Sequence, residues 1–114
     1  MKQAGQIVLF RFPTTNIDTG KLRPTLLLGK LPGAYDDWLI CMILSQIRQY
    51  VADFDEFLEE SDEDFTLSGL KVSSVIRIGR LAVVDGEIFL GAIGQIKIAR
   101  LQSIKSRLAA LLLT

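Results

Sequence analysis

Short apolar runs separated by polar breakers organise most of the chain. The segments QIVLFRF (6–12), RPTLLLG (23–29) and WLICMILS (38–45) are rich in aliphatic and aromatic residues, which predicts strands. The third run is apolar until Ser45, which favours a central strand buried on both faces. The segment KVSSVIRIGRLAVV (71–84) holds one or two further strands, and Asp85-Gly86 after it is a hairpin or turn signal.

The period of the apolar positions changes near the end of the chain. Apolar residues recur there at spacings of three and four, which predicts an amphipathic helix that begins near Lys97. The inward positions of this helix are Ile98, Leu101, Ile104, Leu108 and Leu111. Five or more strands followed by one helix predict a mainly β fold, a small barrel closed by a C-terminal α-helix, in a single domain of residues 1–114.

The middle of the chain has a weaker pattern. The segment QIRQYVADFDEFLEE (46–60) is ambiguous between a strand and helical turns. SDEDF (61–65) predicts a short helical turn with Ser61 as its N-cap and acidic residues in its first turn. Gly91 and Gly94 are assigned to turns or close packing, since a lone GxxG is weak evidence for phosphate binding.

Composition narrows the chemistry. The 114 residues include no histidine and one cysteine, Cys41, which lies in an apolar run and is expected to be a buried, reduced thiol. His-based catalysis, His metal sites and cysteine-cluster zinc sites are therefore excluded. No stretch reaches the roughly 18 apolar residues of a membrane span, and the N-terminus lacks a signal-peptide core, so a cytoplasmic protein without a membrane segment is expected.

The net charge of zero conceals an uneven distribution. Residues 53–70 carry eight acidic and no basic residues, whereas residues 71–114 carry seven basic and two acidic residues. The acidic stretch contains Phe54, Phe57 and Phe65, which favours an ordered insertion. If the chain binds RNA, this stretch either faces away from the bound RNA, or it mimics nucleic acid and covers the binding groove in the free state.

Five segments in series carry a family resemblance over nearly the whole chain. They are GQIVLFRFP, KLRPTLLL, YDDWLICMILSQ, SGLKVSSVIRIGRL and IGQI. In this order and spacing they resemble the MazF/PemK-like toxins of bacterial type II toxin–antitoxin systems. The resemblance implies an SH3-like barrel of the CcdB/PemK type, a homodimer, and a cognate antitoxin as partner. It also implies cleavage of single-stranded RNA without metal or cofactor, leaving a cyclic phosphate and a 5′-hydroxyl.

The resemblance places the catalytic arginine of the family at Arg23. A guanidinium with several donors suits the charge of a scissile phosphate, although a loop arginine of no function is the simpler interpretation. Asp18 stands where the family often has an acid five residues earlier. It would take a proton from the 2′-hydroxyl or orient Arg23, unless it only forms an Asx-turn.

One position departs from the family pattern. Leu44 occupies the place of the threonine that usually pairs with the arginine, and leucine has neither donor nor acceptor. Ser45 is the nearest hydroxyl and is assigned as the third catalytic residue. Successive side chains of a strand point to opposite faces, so Ser45 can substitute only if the strand ends or bulges there.

The resemblance also implies an RNA-contacting set around this site. Cations near the same loop can bind phosphates, and a basic residue in SSVIR would face the RNA, whereas solvated surface charges are the simpler interpretation. The assigned RNA-binding residues are Arg11, Lys21, Gln46 and Arg77.

Three functions remain compatible with the sequence. The first is the toxin ribonuclease. The second is a catalytically impaired SH3-like barrel that binds nucleic acid or protein, with Leu44 marking the loss of activity. The third is an unrelated small β protein that serves as a structural subunit.

Overall fold

The computed structural model describes residues 2–11 and 22–114. In these ranges the chain forms six strands and two α-helices. The strands are β1 (Gln6–Arg11), β2 (Leu22–Lys30), β3 (Asp37–Leu44), β4 (Glu56–Leu58), β5 (Ser74–Asp85) and β6 (Gly91–Gln95). The helices are α1 (Phe65–Ser68) and α2 (Ile98–Leu112), and short 3-10 turns lie at Ile47–Gln49 and Gly86–Ile88. Within the described ranges, no helix has the length and apolar character needed to cross a membrane.

The six strands form one antiparallel sheet in the order β4-β5-β3-β2-β1-β6. Three register shifts interrupt its ladders, and the largest lies between β3 and β5 at Cys41 and Met42. Extra residues on one strand bend it and increase its twist. The sheet therefore curls, and β5 bends between its two halves.

The curled sheet has an apolar core on each face. One core, covered by α2, is built around Ile7, Leu26, Ile43, Ile76 and Ile104. The other core contains Val8, Phe10, Leu27, Trp38 and Ile40. Strand β3 supplies residues to both cores, which confirms the prediction of a central strand buried on both faces.

Close backbone contacts join α1 to β6, an edge strand of the curled sheet. Residues 59–64 connect β4, the other edge strand, to α1, and α1 packs against β6. A Cβ on Gly94 would lie 2.2 Å from the Leu67 carbonyl oxygen, and one on Gly69 would lie 2.1 Å from the Ile93 oxygen. Gly69 also has a φ of +74°. These positions need glycine so that the two segments can approach each other.

An ionic cluster ties α2 to the acidic segment, and we call it the acidic clamp. The guanidinium of Arg100 on α2 contacts Asp64 at 2.8 Å, Glu56 at 2.9 Å and Asp62 at 3.3 Å. Arg107, two turns further along the helix, contacts Glu56 at 3.0 Å. The acidic segment is therefore an ordered part of the fold, in which its carboxylates hold the C-terminal helix.

Burial lowers the stability of the ionised Asp64 carboxylate, but its bonds from Arg100 and from the backbone N–H of Lys97 outweigh this cost and lower its pKa. Burial likewise acts against the charge of Arg100, and the bond to Asp64 together with the surrounding carboxylates raises its pKa. Both groups are therefore held in their charged forms.

The observed elements agree with most of the predicted ones. Strands β1, β2 and β3 match their predicted segments within one or two residues, and α2 begins at Ile98, with Lys97 as N-cap. The segment 71–84 forms one bent strand, β5. The Asp85-Gly86 turn is not a hairpin, because β5 pairs with β3 and β4 whereas β6 pairs with β1.

Two local predictions were wrong. The short helix α1 begins at Phe65 and has Asp64, not Ser61, as its N-cap residue. The Asp64 side chain makes no capping hydrogen bond and accepts one from Arg100 instead. The apolar stripe of α2 is also shorter than its spacing indicates. Ile104 and Leu108 are buried, but Ile98 is 75% and Leu111 is 52% exposed, so only the middle of the stripe packs against the core.

Candidate active site

A cleft of about 430 Å³ opens where β2 begins and β3 ends. Its third side is the segment that leads from α1 to β5, and β1 and β6 contribute to its floor. Most of its lining is apolar. The lining residues that carry polar or charged side chains are Arg23, Ser45, Lys71 and Ser74.

Arg23 is placed by the pairing of β2 with its neighbours. It stands opposite Phe10 of β1. On the other side Thr25 pairs with Met42, so the same register continued by two residues sets Leu44 opposite Arg23. Arg23 is half-buried and has no ion pair among the described residues. Pro24 follows Arg23 within the strand. Proline favours extended backbone at the preceding residue, and the strand tolerates the missing N–H of Pro24.

Ser45 meets the condition that the sequence set for it. Strand β3 ends at Leu44, and Ser45 is an exposed residue in the bend that follows. Side-chain alternation therefore no longer dictates its direction. Leu44, Ser45 and Arg23 all line the same cleft, so the structure brings the predicted arginine and the predicted serine together.

Lys71 is a second cation of this cleft that sequence reasoning missed. It is exposed, lies in the segment between α1 and β5, and has no ion pair within the described part of the chain. No acidic side chain is among the described residues that line the cleft. The KVSS pattern predicted only the start of a strand. The curl of the sheet places this lysine in the same cleft as Arg23.

The region beside the cleft holds a polar chain that runs from the sheet to the surface. Arg77 contacts the buried carboxylate of Asp55 at 3.0 Å and donates to Gln49 Oε1 at 3.1 Å. Gln49 in turn donates to Gln46 Oε1 at 3.1 Å, and Arg48 donates to the same oxygen at 3.3 Å. Gln46 is thus an exposed residue next to Ser45, whereas Arg77 is mostly occupied by structural partners.

The other predicted site residues are distributed as follows. Arg11 is exposed at the last position of β1, and Arg11 pairs in register with Leu22, the neighbour of Arg23. Asp18 and Lys21 lie outside the described residues. Their assigned roles therefore stay predictions, as do those of the residues named above.

The acidic segment does not contribute to the cleft. None of its eight carboxylates is among the lining residues, and those of Asp55, Glu56, Asp62 and Asp64 are engaged by Arg77, Arg100 or Arg107. Within the described residues the stretch therefore does not cover this cleft, and its role towards RNA stays a prediction.

Cys41 lies deep in the sheet and is fully buried. Burial, with a smaller contribution from the charge of Asp55, raises the pKa of its thiol to about 12. The thiol is therefore protonated at neutral pH, and it has no role as a nucleophile. Residues 2–11 and 22–114 contain no group of three or more acidic or cysteine side chains arranged to hold a metal ion.

Comparison with protein-family models identifies the family of the chain. Residues 3–112 match the model of the PemK-like, MazF-like toxins of type II toxin–antitoxin systems. The chain belongs to this family. A comparison with curated proteins finds no match.

Two solved structures share the fold. The chain is similar to a chain of the MazE–MazF complex from Deinococcus radiodurans, with a TM-score of 0.68 and 22% identity over 97% of this chain and 94% of that one. It is also similar to a chain of a mycobacterial endoribonuclease in complex with its cognate antitoxin. The TM-score there is 0.66, with 13% identity over 98% and 95% of the two chains. The expected fold, a curled sheet of the CcdB/PemK type with a C-terminal helix, is therefore confirmed.

Proposed function

We propose that this PemK/MazF-like toxin is an endoribonuclease that cleaves single-stranded RNA and that Arg23 binds the scissile phosphate. The observation that supports this most is the setting of Arg23. It lines a cleft together with Ser45 and Lys71, and no described acidic side chain lies there to neutralise it. A half-buried guanidinium without an acidic partner binds a phosphate more strongly than a solvated one, since fewer waters must be displaced.

The reaction that fits these groups needs no cofactor. The 2′-oxygen of the ribose attacks the adjacent phosphorus, and the bond from phosphorus to the 5′-oxygen breaks. A base accepts the 2′-hydroxyl proton, and the leaving 5′-oxygen takes a proton from water, which gives a 5′-hydroxyl and a cyclic phosphate. Arg23 stabilises the negative charge that grows on the phosphoryl oxygens. Asp18 acts as the base, and the Ser45 hydroxyl donates a hydrogen bond at the same phosphate.

Phosphate contacts away from the cut complete the proposal. Arg11, at the end of β1, and Lys21 bind neighbouring phosphates. Lys71 does so from the segment between α1 and β5. Gln46 and Arg77 belong to the same RNA-binding surface through the polar chain that links them. Each cation that contacts a phosphate adds to the salt dependence of RNA binding.

The proposal also covers partners and place of action. The family and the antitoxin complexes among its structural neighbours support a cognate antitoxin as partner. We expect an acidic and apolar segment of that antitoxin to occupy the cleft, whose lining is apolar and carries two cations. We further expect a single domain over residues 1–114 that acts as a homodimer in the cytoplasm.

One observation favours a second function. Leu44 occupies the cleft position that continues the β2–β3 register opposite Arg23, where the family pattern has threonine. A cleft that keeps its cations but loses this hydroxyl can bind RNA, or an acidic apolar peptide, without cleaving RNA. The alternative is therefore a catalytically impaired binding module.

An RNA cleavage assay separates the two functions. Purified protein is incubated with a long single-stranded RNA in the presence of EDTA, next to the Arg23→Ala variant and a Lys105→Ala control, which alters an exposed cation on α2. The ribonuclease proposal predicts cleavage by the wild type and the control, cyclic phosphate ends, and at least a hundredfold lower rate for Arg23→Ala. Equal background cleavage by all three proteins would reject it in favour of the binding module.

A further inference from the structure

The polar chain beside the cleft is anchored on a buried carboxylate. The side chain of Asp55 is 1% exposed, and its two oxygens accept hydrogen bonds from the backbone N–H groups of Val51 at 3.0 Å and Ile78 at 3.1 Å. The Nε of Arg77 lies 3.0 Å from the first of these oxygens, and the Arg77 side chain is 21% exposed. Asp55 therefore holds the guanidinium of Arg77 by an ion pair, in which the Arg77 Nε–H makes no hydrogen bond within the described residues.

Two arginines determine how the carboxamide groups of Gln46 and Gln49 are oriented. A guanidinium has donors only, so the atom of Gln49 that receives Arg77 Nη1 must be its oxygen. The nitrogen of Gln49 then donates to Gln46. The Gln46 atom that receives this bond must be an oxygen as well, and Arg48 imposes the same choice from the other side.

The part of the Gln46 carboxamide that is left without a partner in the described chain is consequently its amino group. Gln46 Oε1 already accepts two hydrogen bonds, from Gln49 and Arg48, whereas Gln46 Nε2 has no partner among the described residues. The backbone is also fixed, because Gln49 N–H donates to the Gln46 carbonyl at 3.1 Å and so forms the 3-10 turn. The exposed Gln46 thus presents an oriented pair of N–H donors one residue from Ser45, which lines the cleft.

We propose that Gln46 determines which base is accepted beside the cleft, by donating a hydrogen bond to O4 of uracil or O6 of guanine. Cytosine and adenine present an amino group at the equivalent position, which two N–H donors cannot bind. Paired recognition of adenine by a carboxamide requires a free oxygen, and here that oxygen is already occupied. This inference rests on the proposed RNA binding at the Arg23 cleft.

Asp55, Arg77 and Gln49 are positioning residues on this interpretation. Asp55 contacts Arg77, Arg77 contacts Gln49, and Gln49 contacts Gln46, so they act on the RNA by fixing the direction of the Gln46 amino group. A carboxamide that rotates freely offers its oxygen as readily as its nitrogen and discriminates less between bases. Loss of Gln49 should therefore weaken base preference while leaving the total affinity for RNA nearly unchanged.

Selection of bound and cleaved sequences from a random single-stranded RNA pool tests the inference. Wild type should show at least about a tenfold preference for uracil or guanine over cytosine and adenine at one position. Gln46→Glu keeps the oxygen that Gln49 and Arg48 bind but turns an acceptor outward, so the preference at that position should reverse towards cytosine and adenine. Gln49→Ala should reduce the preference without reversing it. The matched control is Gln102→Glu, which makes the same change on an exposed position of α2.

The outcomes separate this inference from the function on which it rests. If the wild type and Gln46→Glu bind the pool with the same base profile, the inference is overturned and the RNA-binding proposal stands. If the wild type binds no RNA, both fall together. Thermal unfolding of each variant is measured alongside. A changed profile in Gln46→Glu with an unchanged melting temperature supports a role in base selection rather than in the fold.

Discussion

The acidic clamp and the cleft each depend on one arginine, and the two arginines have opposite surroundings. Arg100 is 10% exposed and meets carboxylates of Asp64, Glu56 and Asp62. Arg23 is half-buried as well, but no described residue provides it with a carboxylate. Pairing makes Arg100 a structural residue that joins α2 to the acidic segment. The lack of such a pair in the described chain leaves the charge of Arg23 available for a phosphate.

The difference shows how a chain of zero net charge can hold a cationic cleft. Eight of the thirteen acids lie in one segment, and the arginines that pair with acids of this segment, Arg77, Arg100 and Arg107, lie on β5 and α2. The cations of the cleft lie elsewhere, on β2 and on the segment before β5. Net charge therefore says little about the potential at a particular site.

The largest effect on stability is expected from breaking the clamp. Arg100→Ala leaves Asp64, with a 1% exposed side chain, without its main partner, and we expect a loss of about 3 kcal/mol in the free energy of unfolding. Urea denaturation measures this loss. Lys105→Ala, on the same helix but exposed and without an ion pair within the described chain, should change stability by no more than about 0.5 kcal/mol. Similar values for the two variants would mean that the clamp contributes nothing.

The second effect concerns the close approach of α1 to β6, a strand that contributes to the floor of the cleft. A methyl group on Gly94 would lie 2.2 Å from the Leu67 oxygen, so Gly94→Ala must move backbone, at a cost of about 2 kcal/mol. Gly29→Ala is the control, because nothing lies within 4 Å of its added Cβ. Thermal unfolding of the two variants compares them, and equal melting temperatures would contradict the close approach of α1 and β6.

The third prediction adds a hydroxyl to the cleft. Leu44→Thr restores the residue that the family pattern places near the arginine, and we expect RNA cleavage to rise by roughly tenfold through one more hydrogen bond to the phosphate in the transition state. Leu44→Val is the matched control, since valine has nearly the shape of threonine without its hydroxyl. Single-turnover cleavage rates should rise for threonine alone. An equal change in both variants would point to space in the cleft rather than to the hydroxyl.

The fourth prediction is the pH dependence of the clamp. The pKa of Asp64 is lowered in the folded state, so its stabilising effect is complete above its unfolded pKa near 3.8 and is lost as the pH falls through the lower folded value. Asp64→Asn should therefore be less stable than wild type at pH 7, and the difference should shrink below about pH 4. Denaturation midpoints from pH 7 to pH 3 measure it. Glu60→Gln, an exposed carboxylate outside the clamp, should show a constant difference, and a constant difference for Asp64→Asn would argue against the ion pair.

The two regions also show how much of the structure could be predicted from the sequence. Strands, the C-terminal helix and the two-faced burial of β3 follow from local apolar patterns, which act over a few residues. Arg23 was identifiable because the R-P step begins a strand within a family pattern. The proximity of Lys71 to Arg23 depends on the curl of the sheet, which joins segments almost fifty positions apart. The pairing of particular acidic residues with Arg77, Arg100 and Arg107 depends on the same long-range packing. Composition alone showed only that one segment carries acidic residues and no basic ones.

The most direct test measures stability and RNA cleavage on the same preparations of Arg23→Ala and Arg100→Ala. The account predicts that Arg23→Ala keeps the wild-type melting temperature within about 2 °C and loses at least a hundredfold in cleavage rate. Arg100→Ala should melt well below the wild type and still cleave RNA at temperatures where it is folded. An Arg23→Ala protein that cleaves RNA like the wild type, or that unfolds as Arg100→Ala does, would contradict the division between a paired structural arginine and an unpaired arginine that binds phosphate.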